Sequence, residues 1–260
     1  MIQYLKHMVN NFILALLFYI PFYSFACERT LLVSASSTWV PYSYTVGEKF
    51  KGLDIEILEL ILTKNNFCWE YIVFPSSSRA FTELEKGDVD LIFGATYTQE
   101  RSSFAAFSTA YRDEKMIFFY NDKNQHNKDI IKNLTTSNSP YSLLSKSLIA
   151  KNRGSYYGES FENFKKECSS CLLELSLAKK RFMLLSTDRV DFVVEDYLTG
   201  LYLQVAKNIM PGRFIVNKSP THYMFRKRLF DDKALEKFNS TIRNSEKEIA
   251  QIISKYGNIE

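Results

Sequence analysis

Histidine is scarce in this chain of 260 residues: there are three, His7, His126 and His222, far apart in sequence. A Ser-His-Asp triad or a histidine-based metal centre therefore lacks its parts. Neither a G-x-S-x-G elbow, an H-E-x-x-H pair, a Walker loop nor a G-x-G-x-x-G fingerprint occurs, which removes the commonest hydrolase and nucleotide chemistries. No metal, cofactor or catalytic residue is expected, and only carboxylate acid/base work, for instance by Glu195 and Asp196, stays open. Basic blocks are missing too. The 33 Lys and Arg residues are spread among 29 Asp and Glu, for a net charge of +4, so a nucleic-acid partner is not expected. One long apolar run, Phe12–Ile20, lies near the N-terminus, and it falls short of the roughly 20 residues that span a bilayer.

That run belongs to a recognisable pattern. Lys6 precedes it with no acid nearby, Pro21 ends it, and Ser24-Phe25-Ala26 supplies the small-x-small exit. Residues 1–26 therefore read as a signal peptide cleaved near Ala26, with export to the periplasm. All four cysteines, Cys27, Cys68, Cys168 and Cys171, lie beyond it. An even count in an oxidising compartment points to disulfides. Cys27 and Cys68 each precede a strand-like run, so neighbouring strands can bring them together. Cys168 and Cys171 form a C-x-x-C after a charged helix and before a strand, which is the setting of a structural bond rather than a redox motif. Cys27 directly follows the cleavage site, so a lipid anchor there is the alternative to its disulfide.

The rest of the chain alternates. Leu31–Ala35 reads as a strand, Gly52–Asn66 as a helix with Leu53, Ile57, Leu60 and Ile61 on one face, and Trp69–Phe74 as a strand. Ser77–Lys86 follows as a helix capped by Ser77 or Ser78 and ended by Gly87, and Asp90–Phe93 as the next strand. The scheme then repeats: strand Ser147–Ala150, helix Tyr156–Lys166, strand Leu172–Leu175, helix Leu177–Ser186 and strand Val190–Val194. A local echo supports the repeat, since Val89-Asp90 and Val190-Asp191 both stand between a helix end and a buried strand. Lys115–Tyr120 and Thr221–Lys227 read as strands running between two lobes, and Asp232–Gly257 as two helices. The expected fold is α/β: two doubly wound lobes joined by two strand crossings, with a ligand cleft between them. Residues 27–114 form the first part of lobe 1, residues 115–220 form lobe 2, and residues 221–260 return to lobe 1.

Ligands in open α/β sheets bind beyond the carboxyl ends of the strands. One such end carries Phe93-Gly94-Ala95-Thr96, then Tyr97-Thr98-Gln99-Glu100-Arg101. A glycine permits close approach of the backbone, hydroxyls follow, and a guanidinium offers a planar fork for a carboxylate. The end of the Val190–Val194 strand delivers Glu195 and Asp196, and Asp196 suits either an ammonium group or a helix N-cap. Gly154-Ser155-Tyr156 is read as opening a helix whose free N–H groups can meet an anion. Trp39, Tyr42 and Tyr44 can supply an apolar wall.

These residues resemble the amino-acid-type extracellular solute-binding proteins of polar amino acid uptake, which have the type 2 periplasmic-binding fold. The matching elements are Trp39-Val40-Pro41-Tyr42, Gly52-Leu53-Asp54-Ile55, Gly87-Asp88-Val89-Asp90 and Thr98-Gln99-Glu100-Arg101 with Phe107-Ser108-Thr109-Ala110-Tyr111. Gly154-Ser155-Tyr156, Arg189-Val190-Asp191 and a closing Tyr256-Gly257 complete them. The resemblance implies that Arg101 clamps a ligand carboxylate, helped by Thr96 and the Gly94 backbone. It also implies that Ser155 and Tyr156 close from the other lobe, that Asp196 holds the ammonium, and that Trp39 covers the side chain. Tyr156 replaces a small hydroxyl residue and reshapes the pocket, and Arg79 adds a second guanidinium near the crevice. The implied protein is a monomer that captures an amino acid or similar small zwitterion or anion for the membrane permease of an ABC transporter. The alternatives are a ligand-presenting partner of a membrane receptor and a small dehydratase-like enzyme on the same scaffold.

Overall fold

Apolar residues alternating on short strands, and striped on the helices between them, build one mixed sheet with helices on its faces. The computed structural model describes residues 27–203 and 207–257; the segment read as a signal peptide lies outside the described residues. In chain order the elements begin with β1 (Arg29–Ala35), a small meander β2 (Thr38–Trp39), β3 (Ser43–Val46) and β4 (Lys49–Lys51), and α1 (Leu53–Lys64). β5 (Phe67–Val73), α2 (Ser77–Lys86), β6 (Leu91–Thr96), α3 (Gln99–Phe104) and the long β7 (Ala105–Asn121) follow. The second array comprises α4 (Gln125–Leu134), β8 (Ile149–Lys151), α5 (Glu159–Glu167), β9 (Leu172–Glu174), α6 (Ala178–Ser186), β10 (Phe192–Asp196) and α7 (Tyr197–Tyr202). The chain closes with β11 (Ile209–Arg226), α8 (Asp232–Asn244) and α9 (Glu246–Gly257). No helix among the described residues is long and apolar enough to cross a membrane.

The strand order is β5-β1-β6-β11-β7-β10-β8-β9. β7 and β11 lie in its middle, paired antiparallel along most of their length. On one side β6, β1 and β5 run parallel to one another, and on the other β10, β8 and β9 do the same. Each half is thus a three-stranded parallel array linked by helices, sharing the two long strands. This is the two-array α/β fold that the alternating sequence predicts.

The echo at Val-Asp has a structural cause. Asp90 donates its N–H to Leu32 O at 2.8 Å and accepts from Leu32 N–H through Oδ2 at 3.0 Å. Asp191 makes the same two bonds to Leu148, both at 2.8 Å. Each aspartate pins the third parallel strand of its array to the first, so the repeated pair specifies register rather than a site.

The helix caps refine two boundaries. Ser76, one residue before the expected caps, accepts from Arg79 N–H at 3.2 Å, and Gly87 at φ 91° closes α2 in the left-handed region. The helix expected from Tyr156 begins at Glu159, because Gly158 at φ 88° cannot be helical. Gly154-Ser155-Tyr156 is therefore a loop and not a helix N-terminus, so the anion site expected from free helical N–H groups there is withdrawn.

Both disulfides form. Cys27 and Cys68 have Cα atoms 5.5 Å apart, where β1 and β5 pair with Thr30 opposite Cys68. Cys168 and Cys171 bond across a 3₁₀ turn, Ser169–Cys171, that leads into β9. Of the two readings of Cys27, the bond to Cys68 is the one that this geometry displays.

Candidate functional site

The six parallel strands point their carboxyl ends at one cavity of about 340 Å³. From the first array it is lined by the turn after β1 with Trp39, the turn after β5 with Ser76 and Ser77, and the stretch from β6 to α3 with Gly94, Thr96 and Arg101. The second array supplies the loop after β8 with Gly154, Ser155 and Tyr156, the start of α6 with Arg181, and the end of β10 with Glu195. Glu114 and Met116 of β7 form the wall where that strand passes between the arrays.

Arg101 is placed by its own helix. Thr98 caps α3 by accepting from Arg101 N–H at 3.1 Å, which turns the guanidinium back toward the end of β6. There Nη1 donates to Thr96 O at 2.8 Å, and Nη2 donates to Gly154 O of the opposite array at 3.1 Å. The guanidinium lies 4.4 Å from the centre of the Phe81 ring. Burial lowers its pKa from the ordinary value, while Glu100, Glu114 and Glu162 oppose that shift. Three of its five N–H donors are not taken by these bonds, which leaves a fork for an anion.

Trp39 reaches the cavity because residue 94 is glycine. A Cβ there would stand 2.7 Å from the Trp39 ring, and φ of 66° is a left-handed conformation that side chains resist. The Gly94 N–H is committed, since it donates to Tyr111 Oη at 2.8 Å. Thr96 is buried at the cavity wall. Ser155 Oγ accepts from Asn152 Nδ2 at 2.7 Å, which fixes the loop that carries it and Tyr156.

Two residues singled out from sequence sit elsewhere. Arg79 does not line the cavity; its side chain is 53% exposed and pairs with Glu83 one turn on, at 2.8 Å. With Ser76 as the cap, Ala80, Glu83 and Leu84 form the buried face of α2, and Arg79 falls outside it. Asp196 is not among the lining residues either. Its Oδ1 caps α7, accepting from Leu198 and Thr199 N–H at 2.9 and 3.0 Å, and receives Tyr42 Oη at 2.8 Å. Of its two sequence readings, the helix cap is the one that this geometry displays.

Two lining charges were not singled out. Arg181 is buried on α6, where it donates to Glu195 and to Leu175 O. Its signal is a lone arginine on the apolar stripe Ala178, Phe182 and Leu185, opposite Glu195, which follows the apolar run Phe192–Val194. Glu114 is the other. Burial first, then Asp196 and Glu195, raise its pKa to about 8 against the opposing charge of Arg112. Its signal is a carboxyl just ahead of the apolar run Met116–Phe119 of the same strand.

No curated protein matches the chain in sequence. Solved structures share its fold. A histidine kinase sensor domain with similarity to periplasmic binding proteins superposes with a TM-score of 0.73 at 17% identity, covering 89% of this chain and 96% of that one. An ancestral arginine-binding protein bound to arginine gives 0.71 at 21% identity, covering 87% and 97%. The substrate binding protein of an amino acid ABC transporter gives 0.69 at 20% identity, covering 87% and 98%. The family model of the bacterial extracellular solute-binding proteins, family 3, matches residues 31–259, almost the whole of the described chain, and the protein belongs to that family.

Proposed function

We propose that the protein captures an amino acid, or a similar small zwitterion, in the cavity between its two arrays and presents it to a membrane partner. The observation that carries this reading is Arg101. It is a guanidinium at the carboxyl end of a central strand, held by one array and bonded to Gly154 of the other. A carboxylate seated on its fork would draw on both arrays at once, so binding and closure would be coupled. Trp39 and Phe81 give the side chain an apolar surround, and Ser76, Ser77 and Ser155 give it hydroxyls. Export to the periplasm and delivery to the permease of an ABC transporter are the setting that this family membership favours. Catalysis is not part of the reading, because the family is one of binding proteins.

A sensory role has its own support in the likeness to a histidine kinase sensor domain. The two readings share one ligand site and differ in the partner. A thermal-shift screen of the twenty amino acids and small organic acids tests the site itself. A ligand at 100 times its dissociation constant is expected to stabilise the protein by about 2.7 kcal/mol, or roughly 5–10 °C in Tm. A flat screen would remove the amino-acid reading. Crosslinking in the native envelope then separates permease from receptor.

A further inference from the structure

Glu114 lies on β7 opposite Ser219 of β11, where the long strands pass between the arrays. It is 7% exposed and lines the cavity. The cations near it are committed elsewhere. Arg112 holds Asp54 with two bonds, at 2.6 and 2.7 Å, and Arg181 holds Glu195. Lys115 points to the other side of the strand, its ammonium 4.1 Å from the centre of the Tyr197 ring. Lys218 pairs with Asp113 at 3.2 Å, and Arg101 spends two donors on backbone carbonyls. Among the described residues Glu114 is left without a partner.

Its surroundings are rich in acids. Asp196 and Glu195 of β10 and Asp54 of α1 all act on it, with Arg112 as the opposing charge, and the phenols of Tyr42 and Tyr157 feel its field. A buried carboxylate that faces like charges with no cation of its own is costly, and a cation from outside relieves that cost. We propose that Glu114 receives a positively charged nitrogen of the ligand, the charge complement that this carboxyl lacks within the protein. The proposal rests on the amino-acid reading, in which Arg101 takes the carboxylate and the α-ammonium comes to Glu114. Asp196 is less available for that role, since one of its oxygens already accepts from three donors.

Protonation follows from the same geometry. With its pKa raised to about 8, Glu114 carries a proton in the empty cavity near neutral pH. When an ammonium seats against it, the carboxyl O–H bond breaks, the proton passes to solvent, and an N–H···O⁻ bond forms in its place. Capture therefore releases up to one proton and tightens as pH rises toward 8, by at most tenfold per unit.

Titration calorimetry with L-arginine and L-glutamine, at pH 6, 7 and 8 in buffers of different protonation enthalpy, tests this. For the wild type, affinity is expected to climb with pH up to tenfold per unit, with proton release at pH 7. In Glu114→Gln both the slope and the release should vanish, and affinity at pH 8 should fall about tenfold or more. Glu114→Gln should melt like the wild type at pH 6, where both residues are neutral, which confirms that the variant folds. Release with both amino acids assigns the α-ammonium, whereas release with L-arginine alone assigns the side-chain cation. Arg101→Ala should lose affinity at every pH. Binding that is flat with pH, or a slope that survives in Glu114→Gln, overturns the role of Glu114 and leaves the amino-acid reading standing. Failure of both amino acids to bind the wild type at pH 8 sinks the two together.

Discussion

Arg101→Ala is expected to weaken capture of a carboxylate ligand by about 2–5 kcal/mol, roughly thirtyfold to several-thousandfold in Kd. The loss comes from a carboxylate that stays buried without its cation. The variant also forfeits the bonds to Thr96 O and Gly154 O, and the second of these spans the two arrays. Arg101→Lys is expected to recover little, although the charge is kept. One ammonium cannot hold two backbone carbonyls and present a planar fork to the ligand at the same time. Titration calorimetry with the best ligand of the thermal screen provides the measurement. Melting of the ligand-free variants shows whether the fold is intact. Unchanged affinity in Arg101→Ala would remove this residue from the site.

The sequence made Arg101 legible because its position follows from local rules. An apolar strand, a glycine, two hydroxyls and a capped helix put its guanidinium at a strand's carboxyl end whatever the rest of the fold does. The arrays were legible for a similar reason, since Asp90 and Asp191 repeat a register bond that each array needs. Arg79 follows a strand's carboxyl end, as expected, but Ala80, Glu83 and Leu84 take the buried face of α2, and the Arg79 side chain turns outward to Glu83. Asp196 shows a different limit. Its type and position suit an ammonium ligand and a helix cap equally, and the backbone N–H groups of α7 lie nearer. Glu114 and Arg181 were out of reach because their meaning is long-range. Each stands out locally only as a charge beside apolar neighbours, and each becomes a lining charge only when the two arrays face each other across the crossing strands.

Asp54→Ala is expected to cost about 3–5 kcal/mol of stability, or roughly 6–20 °C in Tm for a chain of this size. Asp54 lies in the first turn of α1 and is fully buried. It takes the Arg112 guanidinium in the two-bonded geometry, Nε to Oδ1 at 2.6 Å and Nη2 to Oδ2 at 2.7 Å. That guanidinium also donates to the Asp113 carbonyl, at 3.3 Å, and lies 4.1 Å from the centre of the Tyr42 ring, and Asp54 is its one ion-pair partner among the described residues. Removing the carboxylate strands a buried cation that cannot lose its charge, because an arginine does not deprotonate in a protein. The damage therefore comes from an unpaired partner more than from a lost attraction. Changing both members together, Asp54→Leu with Arg112→Met, should recover most of the loss, since a buried ion pair is often no more stable than apolar residues of similar volume. Denaturant unfolding of the wild type, Asp54→Leu, Arg112→Met and the double variant gives the coupling energy directly. Ligand affinity supplies a second readout. Arg112 supports Tyr42, whose hydroxyl reaches Asp196 in the second array at 2.8 Å, so the double variant should fold well yet close around ligand more weakly. If Asp54→Ala melts within about 2 °C of the wild type, this pair does not anchor the first array to the crossing strand.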